Sequence, residues 1–277
     1  MDDRALTEQL VAAARVQVTK GELDALFSFT PELTEWSMNA AGDRRGTLRT
    51  SVWTKDRGAA RAVVERFAPG FGAMRDGLVG EDFEGVGLAM RGDGRSSFRW
   101  WALADERAAL AERARRAWPE QGEMIESLLA ATGGPATCAA VGVEIGEAGE
   151  RRTLYAELRT PERALRVLEL ARIVVSQPAN LFWKGIVGLD AGGQRWPRVW
   201  VGRSVGPGGG WKFYYFARGD ELRRTDEVLL DAVSASAELG EVWMRVRATT
   251  HRPCVQLIGL TFHSDSSPSF TTYLSRI

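Results

Sequence analysis

Four copies of one short signature run through the chain: Val86-Gly87-Leu88, Val141-Gly142-Val143, Val187-Gly188-Leu189 and Ile258-Gly259-Leu260. Each is followed by a polar turn and a strand-like run carrying an aromatic: Trp101, Tyr155, Trp200 and Tyr273, twelve to fourteen residues beyond the glycine. A degenerate fifth copy opens the series, with Trp36-Ser37-Met38 in front and Arg49 to Trp53 behind. Internal repetition constrains architecture more tightly than local propensity, because each unit must bury its apolar face against the next. The repeated unit reads as a β-hairpin followed by helix.

The rest of the chain fits that unit. Leu6, Leu10, Val11 and Ala14 recur at helical spacing, and Thr19-Lys20-Gly21-Glu22 has the form of a capping box opening a short helix through Phe27. Hairpins are expected at 34–40 with 47–54, 86–91 with 97–103, 140–145 with 152–158, 186–190 with 198–205, and 254–262 with 269–275. Helices are expected over 55–67, 105–118, 120–131 and from the Thr160-Pro161 cap to about 175, with two more between 220 and 249. The run 211–217 also reads as a strand, one more than five hairpins need: it is either an eleventh strand or a sign that the fourth hairpin pairs differently. The expected class is α+β: an antiparallel ten-stranded barrel of five ββαα repeats with helices outside, in which residues 1–277 form a single domain. Closure removes exposed sheet edges, and ten strands are wide enough to enclose a ligand cavity.

Composition excludes several functions. Lys and Arg together number 36, as do Asp and Glu, so there is no global field for nucleic acid or an anionic membrane. The two cysteines, Cys138 and Cys254, make neither a disulfide framework nor a metal cluster. There is no leader-like segment and no long apolar span, so the expected location is the cytoplasm. Gly206–Gly210 lacks the Lys-Ser/Thr of a phosphate-binding loop and reads as a turn.

Several strands place a polar or cationic residue two positions before an aromatic. These pairs are Arg99 with Trp101, Arg198 with Trp200, Lys212 with Tyr214, Thr153 with Tyr155 and Thr271 with Tyr273. Period-two spacing puts both members on one face of a strand. If that face is the lumen, the barrel carries a collar of cations and hydroxyls beside indole and phenol rings. Such a collar suits a diphosphate, and its rings suit the carbocation left when the diphosphate departs. The same spacing also allows the cations to face solvent while apolar neighbours fill the barrel.

The first hairpin carries a more specific pattern: Pro31-Glu32-Leu33-Thr34-Glu35-Trp36-Ser37-Met38-Asn39, followed by Arg49. It resembles the opening motif of the indole prenyltransferases of dimethylallyltryptophan-synthase type, the ABBA or PT-barrel family. The resemblance implies five ββαα units closing a ten-stranded barrel around the active site. It makes Glu35 the carboxylate that contacts the acceptor's indole nitrogen and takes its proton. It makes Arg49 a ligand of the diphosphate, joined by Arg99, Arg198 and Lys212, with Tyr155, Tyr214 and Tyr273 as hydroxyl donors and cation shields. Trp53, Trp101 and Trp200 would line the lumen. The implied partners are a prenyl diphosphate, most simply dimethylallyl diphosphate, and an aromatic acceptor such as tryptophan, in a monomer or homodimer. No cofactor is required, with magnesium at most stimulatory, and no metal site is implied. The family's usual Lys-x-Tyr pairs are altered here: Arg99-x-Trp101 stands in the second unit and Arg151-x-Thr153-x-Tyr155 in the third.

Three other readings fit the same repeats. One is a non-catalytic barrel that binds an aromatic or isoprenoid metabolite. Another is a five-fold α/β-propeller enzyme with Cys254 as nucleophile beside His251. The third is a structural or interaction module, with a barrel filled by side chains.

Overall fold

Two capped helices lead into the sheet. The Asp2 carboxylate accepts from the Ala5 N–H and opens α1 (Asp3–Ala14). Thr19 and Glu22 form the expected capping box on α2 (Lys20–Leu26). Helix α1 buries Leu6, Leu10 and Ala13 against Trp36, Met38, Leu48, Leu88 and Met90. It is pinned there by Trp36 Nε1, which donates to Thr7 Oγ1 at 2.8 Å. In this computed structural model the described residues are 2–41, 44–80, 83–92, 94–103, 105–171, 199–217, 241–242, 256–263 and 269–276.

The sheet is built from β1 (Leu33–Ala41), β2 (Arg44–Thr54), β3 (Phe83–Met90), β4 (Ser96–Leu103) and β5 (Cys138–Gly146). It continues through β6 (Gly149–Leu158), β7 (Val199–Val205), β8 (Gly210–Ala217), β9 (Gln256–His263) and β10 (Ser269–Arg276). Each strand pairs antiparallel with the one before and the one after, and β10 returns to β1, so the ring closes. Helices α3 (Arg57–Phe67) and α4 (Gly72–Leu78) follow the first hairpin, α5 (Arg107–Ala117) and α6 (Gly122–Thr132) the second, and α7 (Pro161–Leu170) the third.

The main core lies between ring and helices. Val52, Val86, Trp100, Val141, Leu154, Val201 and Phe213 point outward from their strands. They meet Ala60, Val63, Val64, Leu110, Ala114, Ile125, Leu128 and Val167 of the helices. Burying each of the larger side chains contributes about 1.5–3 kcal/mol. Strand alternation then turns the other set of side chains into the lumen. One polar cluster interrupts this outer core: Arg75 makes two hydrogen bonds to Glu84, at 2.8 and 2.6 Å, and Trp100 Nε1 donates to the same carboxylate at 2.9 Å.

The fourth hairpin differs from expectation. Strand β7 pairs with β8, so the run 211–217 is the second arm of that hairpin, and the strand at 199–205 is the first arm. The reason lies in the glycine run. Gly206 (φ 108°) and Gly208 (φ 62°) adopt the left-handed backbone that closes a tight turn, which L side chains resist. Residues 186–190, with Gly188, lie outside the described residues. Helix α4 is an addition, too short and glycine-containing to show an apolar period. The single closed ring also overturns the propeller reading, whose blades would be separate sheets. Cys254 and His251 lie outside the described residues. Among the described residues no helix is long and apolar enough to cross a membrane.

Candidate active site

The glycine signature has a packing cause. The aromatic on the second strand of each hairpin lies over a glycine on the first strand of the next. Trp53 faces Gly85, Trp101 faces Gly142, Tyr155 faces Gly202 and Tyr214 faces Gly259. A methyl on Gly142 would stand 2.6 Å from Trp101 Cδ1, and one on Gly202 would stand 2.8 Å from the Tyr155 ring. The series closes on itself, because Tyr273 faces Ser37 of the opening, degenerate copy. Two members are corrected by this register. The second unit uses Gly85 rather than Gly87, and in the fourth Gly202 and Tyr214 take part, with Tyr214 rather than Trp200 as the ring over the next glycine; Gly188 lies outside the described residues.

The rings assemble into a cage inside the barrel. Trp53 stacks on Trp101 with centroids 5.8 Å apart and planes 24° apart. Tyr214 bridges Tyr155 (5.7 Å) and Tyr273 (5.8 Å), and Trp200 packs against the group. Together with Glu35 and Arg99 they line a cavity of about 430 Å³, part of it open to solvent.

Cations sit one step along the strands from the cage. Arg99 and Lys212 are 5 % and 7 % exposed, so they face the lumen and not solvent. The Arg99 guanidinium lies 4.3 Å from the Trp101 ring centroid. Arg49 stands on the lumenal face of β2, opposite Ser37, and its buried Nε has no hydrogen-bond partner. Thr153 bonds Ser204 at 2.7 Å. Lys212 of the next hairpin stands opposite Gly202 in register, and Ser204 lies opposite Thr153. Arg198 lies outside the described residues.

Burial sets the electrostatics. It pushes the Glu35 carboxyl up to about 7, against the pull of Arg99 and Arg49. It pushes Lys212 well below the ordinary lysine value, helped by Arg151 and Arg99. Burial, then Arg99, also lowers Arg49. Arg99 moves the other way: burial would lower it, but Glu144 and the three tyrosines hold it above the ordinary arginine value. The burial that disfavours Lys212 and Arg49 as cations is offset when an anion enters. Burial raises Tyr155, Tyr214 and Tyr273, so their hydroxyls stay protonated and able to donate.

The sequence matches no family model and no curated protein. Solved structures are similar. A 6-dimethylallyl tryptophan synthase superposes with a TM-score of 0.72 at 16 % identity, over 98 % of this chain and 94 % of that one. The 5-dimethylallyl tryptophan synthase from Streptomyces coelicolor, solved with DMASPP and Trp, gives 0.69 at 17 %, over 98 % and 93 %. The 6-dimethylallyltryptophan synthase from Micromonospora olivasterospora, also with DMASPP and Trp, gives 0.72 at 17 %, over 98 % and 95 %. This chain has the dimethylallyl tryptophan synthase fold.

On this prenyltransferase fold, one site residue escaped the sequence reading. Glu144 on β5 enters the lumen between Arg99 and Arg151, with Arg99 Nε 3.4 Å from Oε2 and Arg151 hydrogen-bonded to the same oxygen. Ser97 Oγ donates to Oε1 at 2.8 Å. Burial would raise this carboxyl, but Arg151, Arg99, Arg49 and Lys212 reverse the effect and hold it well below the usual carboxylate range. The available signal was its place two residues beyond lumenal Gly142, which puts it on the same face.

Proposed function

We propose that this chain is an aromatic prenyltransferase that moves a dimethylallyl group from its diphosphate to an indole such as tryptophan. The observation that carries the reading is the convergence of one proton-accepting carboxylate, several buried cations and a cage of aromatic rings in one lumen. The ββαα unit is visible in the first two hairpins, and five such units closing the barrel are part of this proposal.

Arg49, Arg99 and Lys212 bind the diphosphate oxygens, with Tyr155, Tyr214 and Tyr273 as further donors. The allylic carbon–oxygen bond breaks and its electron pair leaves with the diphosphate. The faces of Trp53, Trp101, Tyr155, Tyr214 and Tyr273 shield and stabilise the allylic cation. The cation bonds to a ring carbon of the acceptor. Glu35 accepts the indole N–H and stabilises the positive charge growing on the ring. It then takes up the proton, directly or through water, and aromaticity is restored. Cations and hydroxyls of the chain neutralise the leaving group, so the reaction proceeds without a metal, in the cytoplasm.

Mass spectrometry after incubation with dimethylallyl diphosphate and a panel of indoles and phenols tests the reading. A product heavier by one prenyl unit supports it. Tight binding of an aromatic with no product from any donor would favour the non-catalytic barrel.

A further inference from the structure

The proposed donor site already contains an anion. Glu144 lies on the same rung of the ladder as Arg99 and Arg151, one strand from each. Its two oxygens take Ser97, Arg99 and Arg151, so in the empty barrel the two arginines are held on a carboxylate. The carboxylate is only 14 % exposed, and its charge is little screened by water. The proposed diphosphate site uses one of those guanidiniums, Arg99, and Arg151 is tied to it through the shared carboxylate.

We propose that Glu144 is a resident competitor for the diphosphate subsite, a positioning residue that acts through Arg99 and Arg151. It keeps both guanidiniums aimed into the lumen when no donor is bound. It gives them up, at a cost, when the donor arrives. After transfer it takes them back, which drives out the inorganic diphosphate. The exchange is one of ion pairs, with no bond made or broken. A second cleft supports this placement: Glu144, Ser97 and Arg151 also border a space of about 520 Å³ on the hairpin-turn side, with Arg91 and Arg95. Glu147 lines that cleft too and pairs with Arg95 at 3.4 Å, so Glu144 stands at the border of a cleft of mixed charge.

The inference rests on the diphosphate reading, and one experiment separates the two. Inorganic diphosphate is titrated calorimetrically, without metal and at fixed ionic strength, into the parent chain, Glu144→Gln and Glu144→Asp. Removing a buried negative charge beside the bound anion should tighten Kd by about tenfold or more in Glu144→Gln. In Glu144→Asp the shortened carboxylate retreats from the arginines, and the gain should be smaller but present. In turnover assays Glu144→Gln should also show a matching fall in the inhibition constant for inorganic diphosphate, a shift that lost stability alone does not produce. Parent-like or weaker affinity in the variants overturns the competitor role and leaves the diphosphate reading standing. Should Glu144→Gln fail to fold, Glu144→Asp decides by the same criterion. No diphosphate binding by any of the three chains overturns both.

Discussion

Glu35 and Arg99 share one rung of the barrel, with only Ser51 and Gly87 between them. Neither intervening residue is large enough to fill the space above the sheet. The carboxyl and the guanidinium therefore look into the same volume from opposite ends of a shallow floor. Arg99 draws the Glu35 pKa down, but burial outweighs it and leaves the group near neutrality. A base poised there can gain and lose a proton at ordinary pH.

That poise gives a pH dependence. Glu35 works as an acceptor only when ionised, so kcat/KM should rise about tenfold per unit below pH 7 and level off above it. Glu35→Gln should lower turnover by about 10²- to 10⁴-fold and remove this limb from the profile, with little change in the affinity for a diphosphate analogue. Equal loss of turnover and analogue binding would make Glu35 structural. For stability the sign is opposite to that of a paired carboxylate. Between the unfolded value, about 4.3, and about 7 the folded chain keeps a proton that the unfolded chain releases. This group alone therefore makes stability fall as pH rises through that window.

Arg99→Ala and Arg49→Ala should each weaken donor binding by about 10- to 100-fold, the value of a charge-assisted hydrogen bond. Acceptor affinity, measured without donor, should change far less. Donor affinity that stays at the parent value in both variants would remove these side chains from the diphosphate site.

Gly142→Ala tests the packing of rings on glycines. The added methyl meets Trp101 at its pyrrole edge, near the backbone, where the ring has little freedom to yield. The expected loss is about 1–3 kcal/mol of stability. The disturbed cage should also reduce prenyl transfer beyond what the stability loss explains. A parent-like thermal midpoint and rate would show that Trp101 can shift at no cost.

Glu84→Ala probes the outer core. It leaves Arg75 and the Trp100 indole N–H buried with their shared acceptor gone. Arg75 keeps Asp76 at 2.8 Å and the Arg57 carbonyl at 3.1 Å, so the cost is that of the lost buried hydrogen bonds, about 1–3 kcal/mol. Chemical denaturation should report that loss, while kcat, measured where the variant is folded, should stay close to the parent.

Chelation tests the route of leaving-group neutralisation. Among the described residues no three His, Cys, Asp or Glu side chains gather as a metal site, whereas Arg49, Arg99 and Lys212 face the lumen. Turnover should persist in excess EDTA. Activity abolished by EDTA and restored by magnesium would assign that neutralisation to a metal.

The repeat made the hairpins legible, because strand alternation and glycine spacing are local properties. The expected arms of the third hairpin fall inside β5 and β6, each of which runs slightly longer. Register was not local. Gly85 and Gly87 are equally good glycines in the sequence, and only the neighbouring Trp53 selects Gly85. The fourth hairpin was displaced for the same reason: Val187-Gly188-Leu189 imitates the signature, while the working pair, Gly202 and Tyr214, is split by a glycine-rich turn. Glu144 was hidden because a glutamate near a strand end reads as solvated. Its role follows from Arg99 and Arg151 on the two flanking strands, a juxtaposition visible only when the sheet is assembled.

The glycines beneath the cage also determine how such a lumen can evolve. Where a ring rests on main chain, there is no side chain below it left to shorten. Substitution on the floor can only raise it, so mutational drift at Gly85, Gly142, Gly202 and Gly259 runs one way, toward a smaller chamber. Room for a longer donor or a bulkier acceptor has to come from the rings themselves. Specificity in this barrel is therefore written chiefly on its even-numbered strands, which carry five of the six cage rings, with Trp200 of β7 as the sixth.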